Sequence, residues 1–454
     1  MKTKVLIILI ILIGLGVGGF LIWKNITAPE EQKTEEERAG KETESLPVDE
    51  KELVEIFKMP VTESSHFGFM HPQHSYPEAQ NINVHWERPH PGPFIWDELQ
   101  KDNGEYSWSF SDNYIKKSQG FNFNIIATIW PFADWDQKSC HSLEVCRGYG
   151  FEGLPPGPPD KLPIYRCKPC DMAAYSNFVK NLVERYDGDG LNDMPGLIYP
   201  IKYWEVLNEP EIQTKELTFF NGTPDEYFQI LKITYNAVKA ADPEAKVLHA
   251  GMAGTLKESL DFWKPVFAQG AGNYFDIASI HSIDADNEDF FAKEMEDFLK
   301  DYNLTKLIWI TEAQYGKGGG GSYDKEDFAK LLIKSFTSAF ANGVEKIFYV
   351  GLSAPTPGHP DAALITQWGQ KNPIYYSFKT LVEKIDYFES VERLAENQYK
   401  FTIVGKPVYV LWGVGTIPSE IAGLVKITDI KGDEREIDAL LIALTDSPIF
   451  VETK

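Results

Sequence analysis

Positive charge is scarce in this chain of 454 residues: 44 Lys and Arg stand against 67 Asp and Glu, giving a net charge of -23. Phosphate recognition needs a basic surface, so no nucleic-acid partner is expected, and the acidic skin serves mainly solubility. Cysteine is scarcer still: the four residues Cys140, Cys146, Cys167 and Cys170 all fall in one stretch. Long apolar runs are missing after the first two dozen residues, which leaves one membrane candidate.

That candidate is the uncharged run Val5–Trp23, preceded by Lys2 and Lys4. It is long enough to span a bilayer as a helix, and the lysines on its amino side predict an outward-facing remainder. Residues 1–26 are therefore expected to be a transmembrane anchor and to place the protein at the cell membrane, single-pass, with the rest of the chain outside. The alternative is a signal segment and a secreted chain, although no clear small-residue cleavage site follows. No cysteine follows the run closely, so a bacterial-type lipid anchor is unsupported. Export makes disulfides the expected use of the four cysteines. A zinc site built on the Cys167–Cys170 C-x-x-C pair is the alternative.

Residues 27–50 are highly charged and almost free of large apolar side chains, so they cannot bury enough surface to fold and read as an acidic disordered linker. From 51 to 390, short β-rich runs alternate with amphipathic helical stretches, the pattern of βα units on a parallel sheet. Eight candidate strands fit: His66–Met70, Ile82–Glu87, Asn122–Ile129, Ile201–Leu207, Lys246–Ala250, Phe275–His281, Leu307–Thr311 and Lys346–Val350. Eight such units predict a closed (β/α)8 barrel, a TIM barrel, of the α/β class. An insertion at about 138–171 carries the cysteines and LPPGPPDKLP, whose prolines exclude a helix. The run Lys317–Ser322, KGGGGS, fits either a flap over a site or a passive spacer. Residues 391–454 hold five β-rich runs, YKFTIVG, PVYVLWG, LVKITDI, DALLIAL and PIFVE, which predict a small C-terminal antiparallel β-sandwich.

Two strand ends carry the chemistry. WEVLNEP and LIWITEAQYG each bring a glutamate, Glu209 and Glu312, to the carboxyl end of a hydrophobic strand. Two carboxylates across a cleft are the minimum equipment for breaking a glycosidic bond. Glu209, beside Trp204, Val206 and Leu207, suits a general acid whose pKa an apolar setting raises. Glu312 suits a nucleophile and needs donors about it, of which Arg88 is the best and His281 the next. Asn208 is placed to meet a sugar hydroxyl. Arg88 is alternatively a structural partner of Glu87 or Glu205, and by period two Glu205 lies on the barrel interior. Trp130, Trp135, Trp86 and Tyr349 near strand ends offer aromatic faces for sugar rings, with ordinary packing as the other reading.

These residues resemble clan GH-A glycoside hydrolases, the retaining (β/α)8 superfamily, nearest the β-xylosidase and α-iduronidase branch or a cellulase-like group. The resemblance runs from about His66 to Leu381 and rests on YWEVLNEP at Tyr203–Pro210, FDIASIHS and IWITEAQYG, with weaker support from VHWERPHPGPF and NPIYYSFKTL. It implies Glu209 as acid/base, Glu312 as nucleophile, Arg88, Asn208 and His281 as supporting residues, and no metal or organic cofactor. Tyr349 stands where many relatives have tryptophan, and the cysteine-bearing insertion is outside the common pattern. The expected activity is hydrolysis of β-glycosidic bonds in an oligo- or polysaccharide by double displacement. A catalytically inactive glycan-binding barrel and a transglycosylase using the same intermediate are the alternatives. Oligomeric state is not legible.

Overall fold

The computed structural model describes residues 63–150, 161–285, 287–315, 324–355 and 362–453. The apolar run Val5–Trp23, the acidic segment and KGGGGS lie outside them. Among the described residues no helix is long and apolar enough to cross a membrane.

Eight parallel strands close into a barrel in sequence order: β1 Phe67–Met70, β2 Trp86–Arg88, β3 Asn124–Ile129, β4 Tyr203–Asn208, β5 Lys246–Gly251, β6 Ile277–Ala285, β7 Leu307–Tyr315 and β8 Val344–Val350. Closure is made by β1 on β8, with Phe67 opposite Ile347. One principal helix follows each strand: α1 Tyr76–Ile82, α2 Ser109–Gly120, α3 Met172–Glu184, α4 Pro224–Ala241, α5 Lys257–Ala268, α6 Ala292–Asp301, α7 Lys325–Ala341 and α8 Pro373–Ile385. All eight expected strands are present. The second begins later than expected because Tyr76, Ala79 and Ile82 share one buried face at helical spacing, so Ile82 closes α1 instead of opening a strand.

Local chemistry explains the best-marked unit. Thr223 caps α4: its Oγ1 accepts from Glu226 N at 3.3 Å and the Glu226 carboxylate accepts from Thr223 N at 2.8 Å, with Pro224 at the first helical position. Tyr227, Ile230, Leu231 and Val238 then face the sheet. Below the barrel mouth, Trp86, Ile126, Leu248, Ile277, Trp309 and Phe348 fill the interior. Trp86, read as a possible sugar platform, is part of this floor. Gly68 makes room for it, since a Cβ there would lie 2.3 Å from Phe348 Cδ1.

The insertion is held by two disulfides, Cys140–Cys170 and Cys146–Cys167. The two halves of the C-x-x-C pair thus take different partners, which removes the zinc alternative. Arg166 inside the insertion donates to the carbonyls of Pro163 (2.8 Å), Gly150 (2.9 Å), Tyr149 (3.1 Å) and Thr218. Asn221 Nδ2 reaches back to the carbonyls of Cys146 (3.0 Å) and Arg147 (2.8 Å). The stapled insertion therefore braces the connection that runs from Glu209 to α4.

The C-terminal expectation needs correction. Six strands form one antiparallel sheet, not two layers of a sandwich: β9 Ser390–Ala395, β10 Gln398–Ile403, β11 Lys406–Leu411, β12 Leu424–Thr428, β13 Glu434–Asp438 and β14 Ile449–Thr453, in the order β13-β12-β14-β11-β10-β9. The barrel takes the place of the second layer, because Phe401, Val410 and Phe450 join the main core while Tyr409, Leu411, Val425, Ile427 and Val451 pack under the sheet's own loops. The expected strand DALLIAL is a 3-10 turn at Ala439–Leu441 and a loop, and the polar run Glu434–Asp438 forms the edge strand in its stead.

Candidate active site

Arg88 is the hub. It is fully buried on β2, and the alternation that sends Trp86 into the barrel sends Arg88 in one layer higher. Its Nε donates to Glu205 Oε2 at 2.8 Å, one terminal nitrogen to Glu312 Oε1 at 2.7 Å and the other to Asn208 Oδ1 at 2.6 Å. The structural ion pair with Glu205 and the donor role toward Glu312 thus coexist in one side chain. Glu87 points outward and accepts from Tyr76 (2.9 Å) and Tyr114 (3.2 Å). Glu205 also accepts from Thr128 (2.8 Å), Ser279 (3.2 Å) and Thr311 (3.2 Å), so its charge is compensated from four strands.

The two glutamates reach the centre through irregular backbone. Leu207 and Glu209 have φ of +73° and +35°, conformations that cost non-glycine residues about 1–3 kcal/mol each. The break at Leu207 turns that side chain outward into the core and brings Asn208 inward, so the period-two alternation that puts Glu205 on the interior, and would put Leu207 there too, fails at Leu207. In β7 the register against β8 shifts between Ile310 and Ala313, and this bulge lets consecutive residues, Thr311 and Glu312, both face the cleft. The nearest ligand atoms of Glu209, His281 and Glu312 all lie within 4.8 Å of one another.

His281, at the end of the regular part of β6, links these layers. Its Nδ1 is 2.8 Å from Glu209 Oε1 and 3.7 Å from Glu312 Oε1, and its Nε2 is 2.9 Å from Thr311 Oγ1. Burial pushes its pKa down to about 4 against the pull of Glu312, so the ring is neutral near pH 7. Thr311 Oγ1 is shared by Ser279 Oγ at 2.6 Å, His281 Nε2 at 2.9 Å and Glu205 Oε1 at 3.2 Å. The 2.8 Å contact between Nδ1 and Glu209 Oε1 carries one shared proton, held by the ring or by the carboxyl. Burial raises the Glu209 pKa to about 7; Arg88 opposes this and Glu205 adds to it. Burial also raises Glu312, but His281 and Arg88 counter the shift and Arg88 donates directly to its carboxylate. Of the two carboxyls, Glu209 is the one built to hold a proton.

Gly251, on β5, makes this possible, because a Cβ there would sit 1.9 Å from His281 Nε2. Gly251→Ala is expected to displace the imidazole and lower kcat/KM about 10- to 100-fold, since misplacement near 1 Å is enough for such losses. Far-UV circular dichroism would confirm an intact barrel, and wild-type kinetics in this variant would refute the positioning role.

The aromatic expectations fare less well. Tyr349 faces out of the barrel: its hydroxyl donates to Ala362 O at 2.8 Å and its ring packs on Phe378 at 5.4 Å, because Phe348 takes the inward phase of β8. Trp130 is completely buried, with Nε1 donating to Pro91 O at 2.6 Å and its ring against His90 and Phe219. Trp135 is half-buried beside Trp96, its Nε1 bound to Gln100 O at 3.1 Å. None of the three presents an open face between the glutamates.

Residues not singled out beforehand complete the site: Thr128, Ser279 and Thr311 beneath it, Gly251 behind it, and His90, whose Nδ1 lies 4.0 Å from Glu312 Oε1. His90 sits two residues after Arg88 in ERPHPGP, a proximity that was the available signal.

Neither a family model nor a curated protein sequence matches the chain. Solved structures match over most of its length. A glucosidase from Croceicoccus marinus aligns with TM-score 0.57 and 14% identity, over 83% of this chain and 91% of that one. The catalytic domain of GH30 xylanase C from Talaromyces cellulolyticus gives 0.54 and 15%, over 86% and 96%. A GH86 protein in complex with neoagarooctaose gives 0.59 and 12%, over 86% and 74%. At these identities the likeness is one of fold: the chain has the eight-stranded barrel architecture found in these glycosidase structures.

Proposed function

We propose that this chain is a retaining β-glycosidase of the clan GH-A type, acting on an oligo- or polysaccharide. The observation that carries the reading is the approach of Glu209 and Glu312 within 4.8 Å around His281, with a guanidinium on one carboxyl and an imidazole nitrogen 2.8 Å from the other. The 4.8 Å bound is on the nearest carboxylate oxygens; this reading requires the about 5–5.5 Å between carboxyl groups of double displacement, not the about 6.5–9.5 Å that admits a water for inversion. Glu312 attacks the anomeric carbon while Glu209 protonates the departing glycosidic oxygen. Glu209 then takes a proton from water, whose oxygen displaces Glu312 from the glycosyl-enzyme. Asn208, its Oδ1 held by Arg88, interacts with Glu209 and offers an amide donor suited to a sugar hydroxyl. The run Val5–Trp23 with its preceding lysines supports an anchored, outward-facing enzyme, and membrane fractionation separates this from a secreted one.

The test is a screen of the soluble portion, from about Glu50 onward, against aryl β-glycosides and β-linked polysaccharides, followed by a pH profile. The kcat/KM should be bell-shaped. Its alkaline limb falls as pH rises through about 7, where Glu209 loses its proton. Its acid limb lies above 4.5, because Glu312 must be ionised and burial raises it. Glu209→Gln should remove the alkaline limb, and a wild-type rate constant from pH 5 to 9 would contradict the assignment.

A further inference from the structure

A second carbohydrate-sized feature lies away from the cleft. Between α2 and α3, on the flank of the barrel, a cavity of about 340 Å³ is lined by Tyr106, Trp108, Asn181, Glu184, Asn192 and Asp193 together with Arg185. That volume falls in the range of small-ligand sites. Tyr106 and Trp108 stack nearly parallel, with centroids 4.8 Å apart and planes 8° apart, and both are half-buried. The Arg185 guanidinium stands 5.8 Å from the Trp108 ring. The Tyr106 hydroxyl is buried beside the Asn181 amide, with which it interacts.

Charge selects the ligand. Arg185 has its donors committed to Asp112 (2.5 and 3.3 Å) and to the carbonyls of Asn192 (3.4 Å) and Asp193 (3.1 Å), so it offers little to an anion. The rest of the rim is two carboxylates and two amides, which repel phosphates, sulfates and uronates; Asp193 already accepts from Gly188 N and Gly190 N, Asn192 Nδ2 donates to Glu184 Oε1 and Asn181 Nδ2 to Asn177 O, so what the rim offers a hydroxyl is chiefly its remaining oxygen lone pairs. Trp108 is taken up by Tyr106 and Arg185, and the face that Tyr106 turns away from Trp108, held rigid by that stack, suits the apolar C–H face of an uncharged pyranose whose hydroxyl edge meets the rim.

We propose that this cavity is a secondary binding site for neutral glycan, which holds a polymer on the enzyme away from the catalytic centre. The ligand class rests on the glycosidase reading; the site itself makes no contact used in that chemistry. Its effect is avidity: a chain held at a second point raises the local concentration of its neighbouring linkages at the cleft.

The test uses the full chain carrying Glu312→Ala, so that probes survive, in native gels cast with arabinoxylan, galactomannan, laminarin or mixed-linkage β-glucan. Adding Tyr106→Ala, and separately Glu184→Ala, should weaken retardation by at least one of these roughly two- to tenfold, the range of one aromatic contact. In otherwise wild-type enzyme the same substitutions should leave aryl-glycoside turnover within twofold and lower the polysaccharide rate. Equal retardation of parent and both variants would overturn the site, as would a parent that none of the four polymers retards. Weakened retardation in a chain that hydrolyses nothing would keep the site and reject the hydrolase.

Discussion

Replacing Glu312 by alanine should lower turnover of an aryl β-glycoside roughly 10⁴- to 10⁶-fold, the scale seen when a covalent nucleophile is deleted. The structure predicts more than loss. The substitution leaves space beside Arg88, whose terminal nitrogen lies 2.7 Å from Glu312 Oε1 in the wild type. A small anion such as azide can enter there under the attraction of that guanidinium and attack from the face the carboxylate used. Glu209 still supplies the proton, so the product is a glycosyl azide of inverted anomeric configuration. Glu209→Ala should behave oppositely: with an activated leaving group the glycosyl-enzyme still forms, and azide entering from the other face gives the retained anomer. The proton NMR coupling at the anomeric carbon therefore reads the role of each carboxyl directly. Unimpaired hydrolysis by Glu312→Ala would end the double-displacement reading, and a retained azide from that variant would exchange the two roles.

The parts of this molecule that follow from local pattern were legible in the sequence. Strand runs bounded by turns placed all eight barrel strands, and Thr223-Pro224-Asp225 marks the start of α4, because caps and amphipathic stripes depend on neighbours a few residues apart. The two glutamates were legible because each ends a hydrophobic strand. Features that depend on where alternation breaks were not. Leu207 at φ +73° and the shift after Ile310 decide which side chains enter the cleft, and neither leaves a local signature. The choice between sugar platform and packing at Tyr349 and Trp130 was open for a related reason: an aromatic near a strand end says nothing about phase, which Phe348 and the cover of His90 and Phe219 settle here in favour of packing. Thr311 was invisible as a functional residue, since its meaning arises only when β4, β6 and β7 bring Glu205, His281 and Ser279 to it.

Arg88→Met should give the largest loss of stability together with a loss of activity. The side chain is completely buried, and burial alone would disfavour its charge; the carboxylates of Glu205 and Glu312 outweigh that and keep it ionised. Removing it leaves Glu205, also fully buried, with hydroxyl donors but no opposing charge. Breaking a buried pair from one side costs about 3–5 kcal/mol, which a chemical denaturation midpoint would register. The pairing with neutralised Glu205 then separates structure from chemistry. In Arg88→Met/Glu205→Gln the uncompensated charge is gone while Thr128, Ser279 and Thr311 keep an acceptor, so about half or more of the lost stability should return. Activity should not return with it. Glu312 would still want its 2.7 Å donor, Asn208 would still want the nitrogen that fixes its amide at 2.6 Å, and burial would drive Glu312 toward its protonated, non-nucleophilic form. The acid limb of the pH profile should accordingly move to higher pH in both variants. A double variant that regains activity in step with stability would reduce Arg88 to a structural counter-ion and shift the burden of ionising Glu312 to another group.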